Sequence, residues 1–203
     1  GMLPSEPLIE QAAFMEHAGA GGNDLACIMY TGGTTGHPKG VMQSHLNLWS
    51  AAVQRLAQTP VAQGSTTLHA VPLFHIAGLG RVVMQSFAGE CQAVLPVFDP
   101  LEVLKIIERE AITDTVMVPT MIQAVLNHPD FDRFDLASLR RMGYGASPSA
   151  SVMVEQAIGK LPHLELSHAY GLTEACPVIS SSGPAHHSEA ARRSGLSRSG
   201  GQP

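Results

Sequence analysis

The sequence predicts an α/β fold, a mainly parallel sheet with helices on both faces. Three observations carry that expectation. Short apolar runs alternate with longer stretches whose apolar residues recur at helical spacing, and the alternation repeats along most of the chain. The short runs are nearly continuously apolar, as strands covered on both sides are. Parallel strands also need crossovers, and crossover helices supply the cover.

Taken in order, Leu25 to Tyr30 follows Asp24 as an apolar run that suits a buried strand, and a glycine-rich loop succeeds it. Leu46, Trp49, Ala52, Val53 and Leu56 mark a helix from Leu46 to Gln58, after which Thr66 to Val71 reads as a strand before Pro72. The cycle continues with Ile76 to Ala88 as helix, Cys91 to Leu95 as strand, Leu101 to Ala111 as helix and Thr113 to Val118 as strand. Thr120 to His128 and Val152 to Leu161 read as helices, Leu139 to Tyr144 and Leu164 to Ala169 as strands. The helix from Leu101 has the best-marked start: Asp99 as N-cap, Pro100 at the first position and Glu102 to complete a capping box. Both ends break the rhythm. The expected division is a linker or short helix over 1–23, an α/β lobe over 24–179, and a polar, flexible tail over 180–203 rich in Ser, Gly and Arg.

The 203 residues are 44% hydrophobic and only 14% charged, against about 25% charged in ordinary proteins. Disorder and collagen are excluded. Twelve basic against seventeen acidic residues give a net charge of −5, and the tail offers no basic run beyond Arg192-Arg193, which argues against a nucleic-acid partner. Cys27, Cys91 and Cys176 are widely spaced and form no CxxC pair, the usage of a reducing cytoplasm, and all three are expected to fill the core, as are Trp49, Met42 and Met84. No stretch is apolar for long enough to span a membrane, and no signal peptide is evident. Gly1 before Met2 is the remnant left by tag cleavage and is set aside.

The most informative segment is Tyr30-Thr31-Gly32-Gly33-Thr34-Thr35-Gly36-His37-Pro38-Lys39-Gly40. Glycines let backbone N–H groups approach an anion, threonine hydroxyls donate to phosphate oxygens, and Lys39 adds a positive charge. It contains neither a Walker A Gly-Lys-Ser/Thr nor a GxGxxG, so it is a different phosphate loop. Without that role it would be a flexible hairpin turn. With three glycines between Gly32 and Gly36 it is expected to be mobile when empty.

This segment resembles the signature loop of the adenylate-forming superfamily, which includes acyl-CoA synthetases, luciferases and peptide-synthetase adenylation domains. Gly32 departs from the commoner serine and removes one hydroxyl contact. Tyr170-Gly171-Leu172-Thr173-Glu174 resembles the family's Tyr-Gly-x-Thr-Glu motif, in the family's order and after an expected strand, where open α/β sheets bind ligands. The resemblance implies that Tyr170 stacks on adenine, Thr173 touches the α-phosphate and Glu174 helps to hold Mg²⁺. An aromatic face suits a purine and a carboxylate suits a hard cation. Taken alone, the segment could be a helix start capped by Thr173. Gly143-Tyr144-Gly145-Ala146-Ser147-Pro148 is not a serine-hydrolase elbow, because Ser149 stands where glycine is needed. It resembles the family's Gly-Ala-x-Pro turn, which makes Gly145, Ala146 and Ser147 nucleotide-pocket candidates with Gly171; without that role it is a strand-to-helix turn. Pro72-Leu73-Phe74-His75-Ile76-Ala77-Gly78 resembles the segment that gates the carboxylate pocket, although His75 could equally cap a helix or lie half-buried. His186-His187, adjacent in the polar tail, read as solvated and show no metal-ligand spacing.

The resemblance runs from about Asp24 to Glu174 and implies a fragment of an acyl-CoA synthetase-like ligase. The parent would activate a carboxylic acid, fatty or aryl, with ATP and Mg²⁺ to an acyl-adenylate and pass it to CoA. The long portion before the loop, the Thr-Gly-Asp motif that holds the ribose, and the C-terminal domain with the adenylating lysine are missing. The isolated chain is therefore expected to be inactive and to self-associate. The alternative is a non-catalytic nucleotide-binding or interaction module of the same descent.

Overall fold

A computed structural model describes residues 16, 19–32, 36–59, 61–147, 151–196 and 199–202. The chain opens with an antiparallel hairpin of β1 (Leu25–Thr31) and β2 (Lys39–Ser44), which forms a sheet of its own. So β1, expected in the parallel sheet, stands outside it. Its partner β2 was not foreseen because Lys39, Gly40, Gln43 and Ser44 hide the apolar pattern. Helix α1 (His45–Gln58) follows directly, and here lies the full capping box: Ser44 Oγ accepts from the Asn47 N–H at 3.1 Å while Asn47 Oδ1 accepts from the Ser44 N–H at 3.0 Å.

The main sheet comprises β3 (Thr66–His69), β4 (Cys91–Val94), β5 (Asp114–Met117), β6 (Arg141–Gly145), β7 (Glu165–Gly171) and β8 (Val178–Ser182), in the order β4-β3-β5-β6-β7-β8. All neighbours are parallel except β7 and β8. The crossovers are α2 (Ile76–Ala88) from β3 to β4, α3 (Pro100–Arg109) from β4 to β5, α4 (Pro119–Leu126) from β5 to β6 and α5 (Ser151–Lys160) from β6 to β7. Only the first runs toward the β4 edge, so the right-handed rule puts α2 on one face and α3, α4 and α5 on the other. The packing agrees, with α2 against α1, and α4 against both α3 and α5.

Asp99 caps α3 as expected, its Oδ1 accepting from the Glu102 N–H at 2.9 Å with Pro100 in the first turn. The Glu102 carboxylate, expected to close a capping box, instead accepts from Lys105 Nζ at 2.7 Å. The principal core lies between the sheet and α3, α4 and α5: Leu68, Met142 and Leu166 of the strands meet Leu104, Ile107, Ile122, Leu126 and Met153.

From residue 180 the chain, expected to be a flexible polar tail, completes β8 and forms a 3-10 turn (Pro184–His187) and helix α6 (Glu189–Arg193). Its anchors are not aliphatic. His187, expected to be solvated, is buried, and its Nε2 shares a 2.8 Å hydrogen bond with the Tyr144 hydroxyl while Nδ1 lies 3.1 Å from the Gly183 carbonyl. Three further core expectations fail: Cys91, Met42 and Trp49 are exposed, and Cys27 is half-buried, whereas Cys176 and Met84 are buried. Among the described residues no helix is long and apolar enough to cross a membrane.

Candidate nucleotide site

The order reverses between β3 and β5, and open α/β sheets bind ligands outside the carboxyl ends of strands near such a switch point. At those ends lie the motif segments. Strand β6 ends at Gly145 and passes into Ala146, which holds a left-handed φ of 64°, and then exposed Ser147. A non-glycine residue there costs energy, and such strain gathers at functional turns. Strand β7 ends at exposed Tyr170 and at Gly171, followed by a 3-10 turn (Thr173–Ala175) that presents Glu174 to solvent. Both glycines are sterically required: a Cβ on Gly145 would stand 2.2 Å from the Ala169 carbonyl oxygen, and one on Gly171 1.7 Å from that of Pro177. Thr173 caps no helix; it opens the turn, and its carbonyl accepts from the Cys176 N–H at 3.2 Å.

The β1-β2 hairpin carries the glycine-rich loop. Thr31 and Lys39 face each other in register at its mouth, with Thr31 Oγ1 3.4 Å from the Lys39 carbonyl oxygen, and Gly32, Gly36 and Lys39 are exposed. Gly33, Thr34 and Thr35 lie outside the described residues, and with them the expectation of a mobile loop; so does Pro148. His75 stands at the N-cap of α2, exposed, with its ring 4.8 Å from that of Phe74; it takes the capping position without a side-chain capping bond, and it is not half-buried.

Two connections join these segments, and neither was read from the sequence. Gln43 of β2 is buried, and its Nε2 donates to the Thr173 carbonyl at 2.6 Å, tying the loop-bearing hairpin to the turn that carries Glu174. Met29, Ile76 and Cys176 form a second small core. Met29 belongs to the hairpin, Ile76 follows His75, and Cys176 follows the Thr173–Ala175 turn. The hairpin, the His75 segment and the Thr173–Ala175 turn thus each have an apolar residue in or beside them in the same cluster. The only signal for Gln43 was an amide inside a strand-length run, which period-2 alternation sets on the same face as Val41.

Among the described residues no three His, Cys, Asp or Glu side chains gather to hold a metal ion. Glu174, a single exposed carboxylate, still suits Mg²⁺, which keeps several waters and takes its remaining ligands from one or two carboxylates and substrate phosphates.

A doubly covered α/β sheet with a hydroxyl- and glycine-rich loop, an exposed aromatic and an exposed carboxylate at its carboxyl edge belongs to the class of nucleotide-binding folds. The chain belongs to the AMP-binding enzyme family, whose model matches residues 3–200. It is 37% identical over 158 residues to a feruloyl-CoA synthase of Amycolatopsis, covering 77% of this chain and 32% of that protein. Among solved structures it resembles the inhibitor-bound N-terminal domain of FACL13 from Mycobacterium tuberculosis, with a TM-score of 0.82 and 30% identity over 93% of this chain and 46% of that one. It also resembles o-succinylbenzoate coenzyme A synthetase of Bacillus subtilis in complex with ATP and magnesium ion, with a TM-score of 0.77 and 28% identity over 89% of this chain and 38% of that one. The chain thus spans about a third of the curated relative it matches and aligns with part of the large N-terminal domain.

Proposed function

We propose that this chain supplies the nucleotide-phosphate part of the active site of a ligase that joins a carboxylic acid, fatty or aryl, to the thiol of CoA at the expense of ATP. The observation that carries the proposal is the shared anchoring of the loop hairpin, the His75 segment and the Thr173–Ala175 turn on Met29, Ile76, Cys176 and Gln43. Separated in sequence, these segments meet through one apolar cluster and one hydrogen bond. In the proposed site Thr31, Gly32, Gly33, Thr34, Thr35, Gly36 and Lys39 hold the phosphates, Tyr170 and Gly171 with Gly145, Ala146 and Ser147 receive adenine, and His75 gates the acid. Thr173 meets the α-phosphate, and Glu174 is the protein ligand to Mg²⁺, which supplies charge neutralisation on the phosphates. Donors fixed before reaction stabilise charge on the α-phosphate during in-line attack by the carboxylate.

The setting is cytoplasmic, in keeping with three free cysteines. The partner beyond small molecules is a second copy of the chain. Ile28, Tyr30 and Met42 of the hairpin and Leu46, Trp49 and Val53 of α1 are exposed, an apolar surface of the kind that association covers. Light scattering at micromolar concentration is expected to show a dimer or larger species.

Equilibrium binding tests the site. Glu174→Gln should weaken Mg-ATP binding while leaving adenosine binding nearly unchanged, because only the phosphate-linked contribution is lost. Equal loss for both ligands, or no ATP binding by the unaltered chain, would overturn the assignment. The 203 residues contain no Thr-Gly-Asp to clamp a ribose, so CoA thioester formation by the chain alone should stay near background.

A further inference from the structure

The parallel strands meet in register, so residues at matching positions share a face. One such row begins at Thr67 of β3 and crosses Asp114, Arg141 and Glu165, the last three being the first residues of β5, β6 and β7. This row lies under α1 and α2 at the amino-terminal edge of the sheet, the opposite end from the motif segments. A cavity of about 230 Å³ opens there. Its walls are charged: Arg55 comes from the last turn of α1, Arg81 from α2 and Arg141 from β6.

Within the cavity Asp114 takes both Arg81, through Nη2 to Oδ1, and Arg141, with Nε 3.1 Å from Oδ2. Glu165, exposed at the rim, is the only other carboxylate among its lining residues. Arg55 has no carboxylate partner among the described residues; its nearest polar contact is the neutral Gln58 Oε1 at 3.5 Å. Arg81 Nε is buried without an acceptor. A half-buried guanidinium without a carboxylate is incompletely compensated, and an oxyanion in the cavity would supply the missing counter-charge to Arg55. The electrostatics agree: burial, together with the positive charges of Arg55 and Arg141, pushes Arg81 down to about 9. A neighbouring, more open pocket shares Arg141 and Glu165 and adds Arg140 and His163, so arginines gather on this edge in a chain whose net charge is −5.

At the floor the strands pack closely: a Cβ on Gly143 would lie 2.8 Å from Val116 Cγ2 and 3.5 Å from Ser167 Oγ, so a larger residue there would have to displace Val116. Ser167 and Thr59 place hydroxyl donors in the same lining.

We propose that this cavity, walled by Arg55, Arg81 and Arg141, is an anion site that takes a small phosphate-type oxyanion. The guanidinium groups supply charge-assisted donors, and the serine and threonine hydroxyls supply neutral ones. Asp114 holds two of the arginines in place, and with Glu165 at the rim the three arginines leave the lining with a net positive charge.

Inorganic phosphate is the probe, titrated by calorimetry and thermal melting against potassium chloride at matched ionic strength. The unaltered chain should bind phosphate saturably and melt at a higher temperature with it, and Lys105→Ala should do the same because Lys105 is exposed on α3, across the sheet from the cavity. Arg55→Gln should bind at least tenfold more weakly, and Arg55→Lys should recover part of the loss. Circular dichroism establishes that each variant is folded; should Arg55→Gln fail to fold, Ser167→Ala together with Thr59→Val removes the neutral donors and should weaken binding severalfold. Three results would each overturn the proposal: no phosphate effect beyond that of chloride, an undiminished response in the folded cavity variants, or a response lost in Lys105→Ala.

Discussion

The two faces of the central sheet obey different rules. Under α3, α4 and α5 the registered row Leu68, Thr115, Met142 and Leu166 is fully or almost fully buried, and its one polar member, Thr115, turns its hydroxyl to the Leu68 carbonyl at 3.0 Å. Under α1 and α2 the next row is Thr67, Asp114, Arg141 and Glu165, held by ion pairs and side-chain hydrogen bonds. Gln85 of α2 donates to Thr67 Oγ1, and His69 shares a 2.8 Å bond with Gln92 on this same side. The apolar face depends on area removed from water and is indifferent to direction. The polar face depends on pairing, so it tolerates little loss of a single partner but gains specificity for what enters its cavity.

That contrast can be broken most sharply at Asp114. Asp114→Asn leaves two buried guanidinium groups without their carboxylate and should cost about 3–5 kcal/mol, whereas Asp114→Asn combined with Arg81→Met should recover part of it. Urea denaturation of both variants measures this, and a double variant worse than the single one would argue that the face is simply packed. On the apolar side Leu104→Ala should cost about 2–5 kcal/mol by the same measurement, with no second substitution needed to explain it.

A smaller effect is expected where the loop hairpin meets the sheet. Gln43→Leu leaves the Thr173 carbonyl without its side-chain donor and should cost about 1–3 kcal/mol, with hydrogen exchange accelerated in β2 and the Thr173–Ala175 turn before the main sheet. The smallest effect is one of pH. His69, His168 and His187 are each held below the usual histidine value of 6.5, chiefly by burial. The unfolded chain therefore binds more protons as pH falls below about 6.5, so stability is complete above that value and declines beneath it. The urea midpoint should drop between pH 7.5 and 5.5, and His187→Gln, which keeps a partner for Tyr144, should flatten the decline.

Much of the architecture was legible because apolar periodicity is a local property. Helices α1 to α5 and strands β3 to β7 fall where their spacing puts them, and Asp99 and Pro100 mark the start of α3 without help from the rest of the chain. The glycine-threonine loop and the Tyr170–Glu174 segment stand out in the sequence because each is a run of a few consecutive residues. Tertiary structure alone decided the remainder. Whether β1 joined the large sheet depended on a partner, β2, whose polar residues concealed it. Whether the segment after residue 180 was held in place depended on His187 reaching Tyr144, a contact between residues 43 positions apart. Asp114 and Arg141 sit in strands that read as apolar, and nothing local says that two arginines from separate elements will close on one carboxylate. Periodicity reports which face a residue takes, but the energy of a buried charge depends on the distances to other charges, and those exist only once the chain has folded.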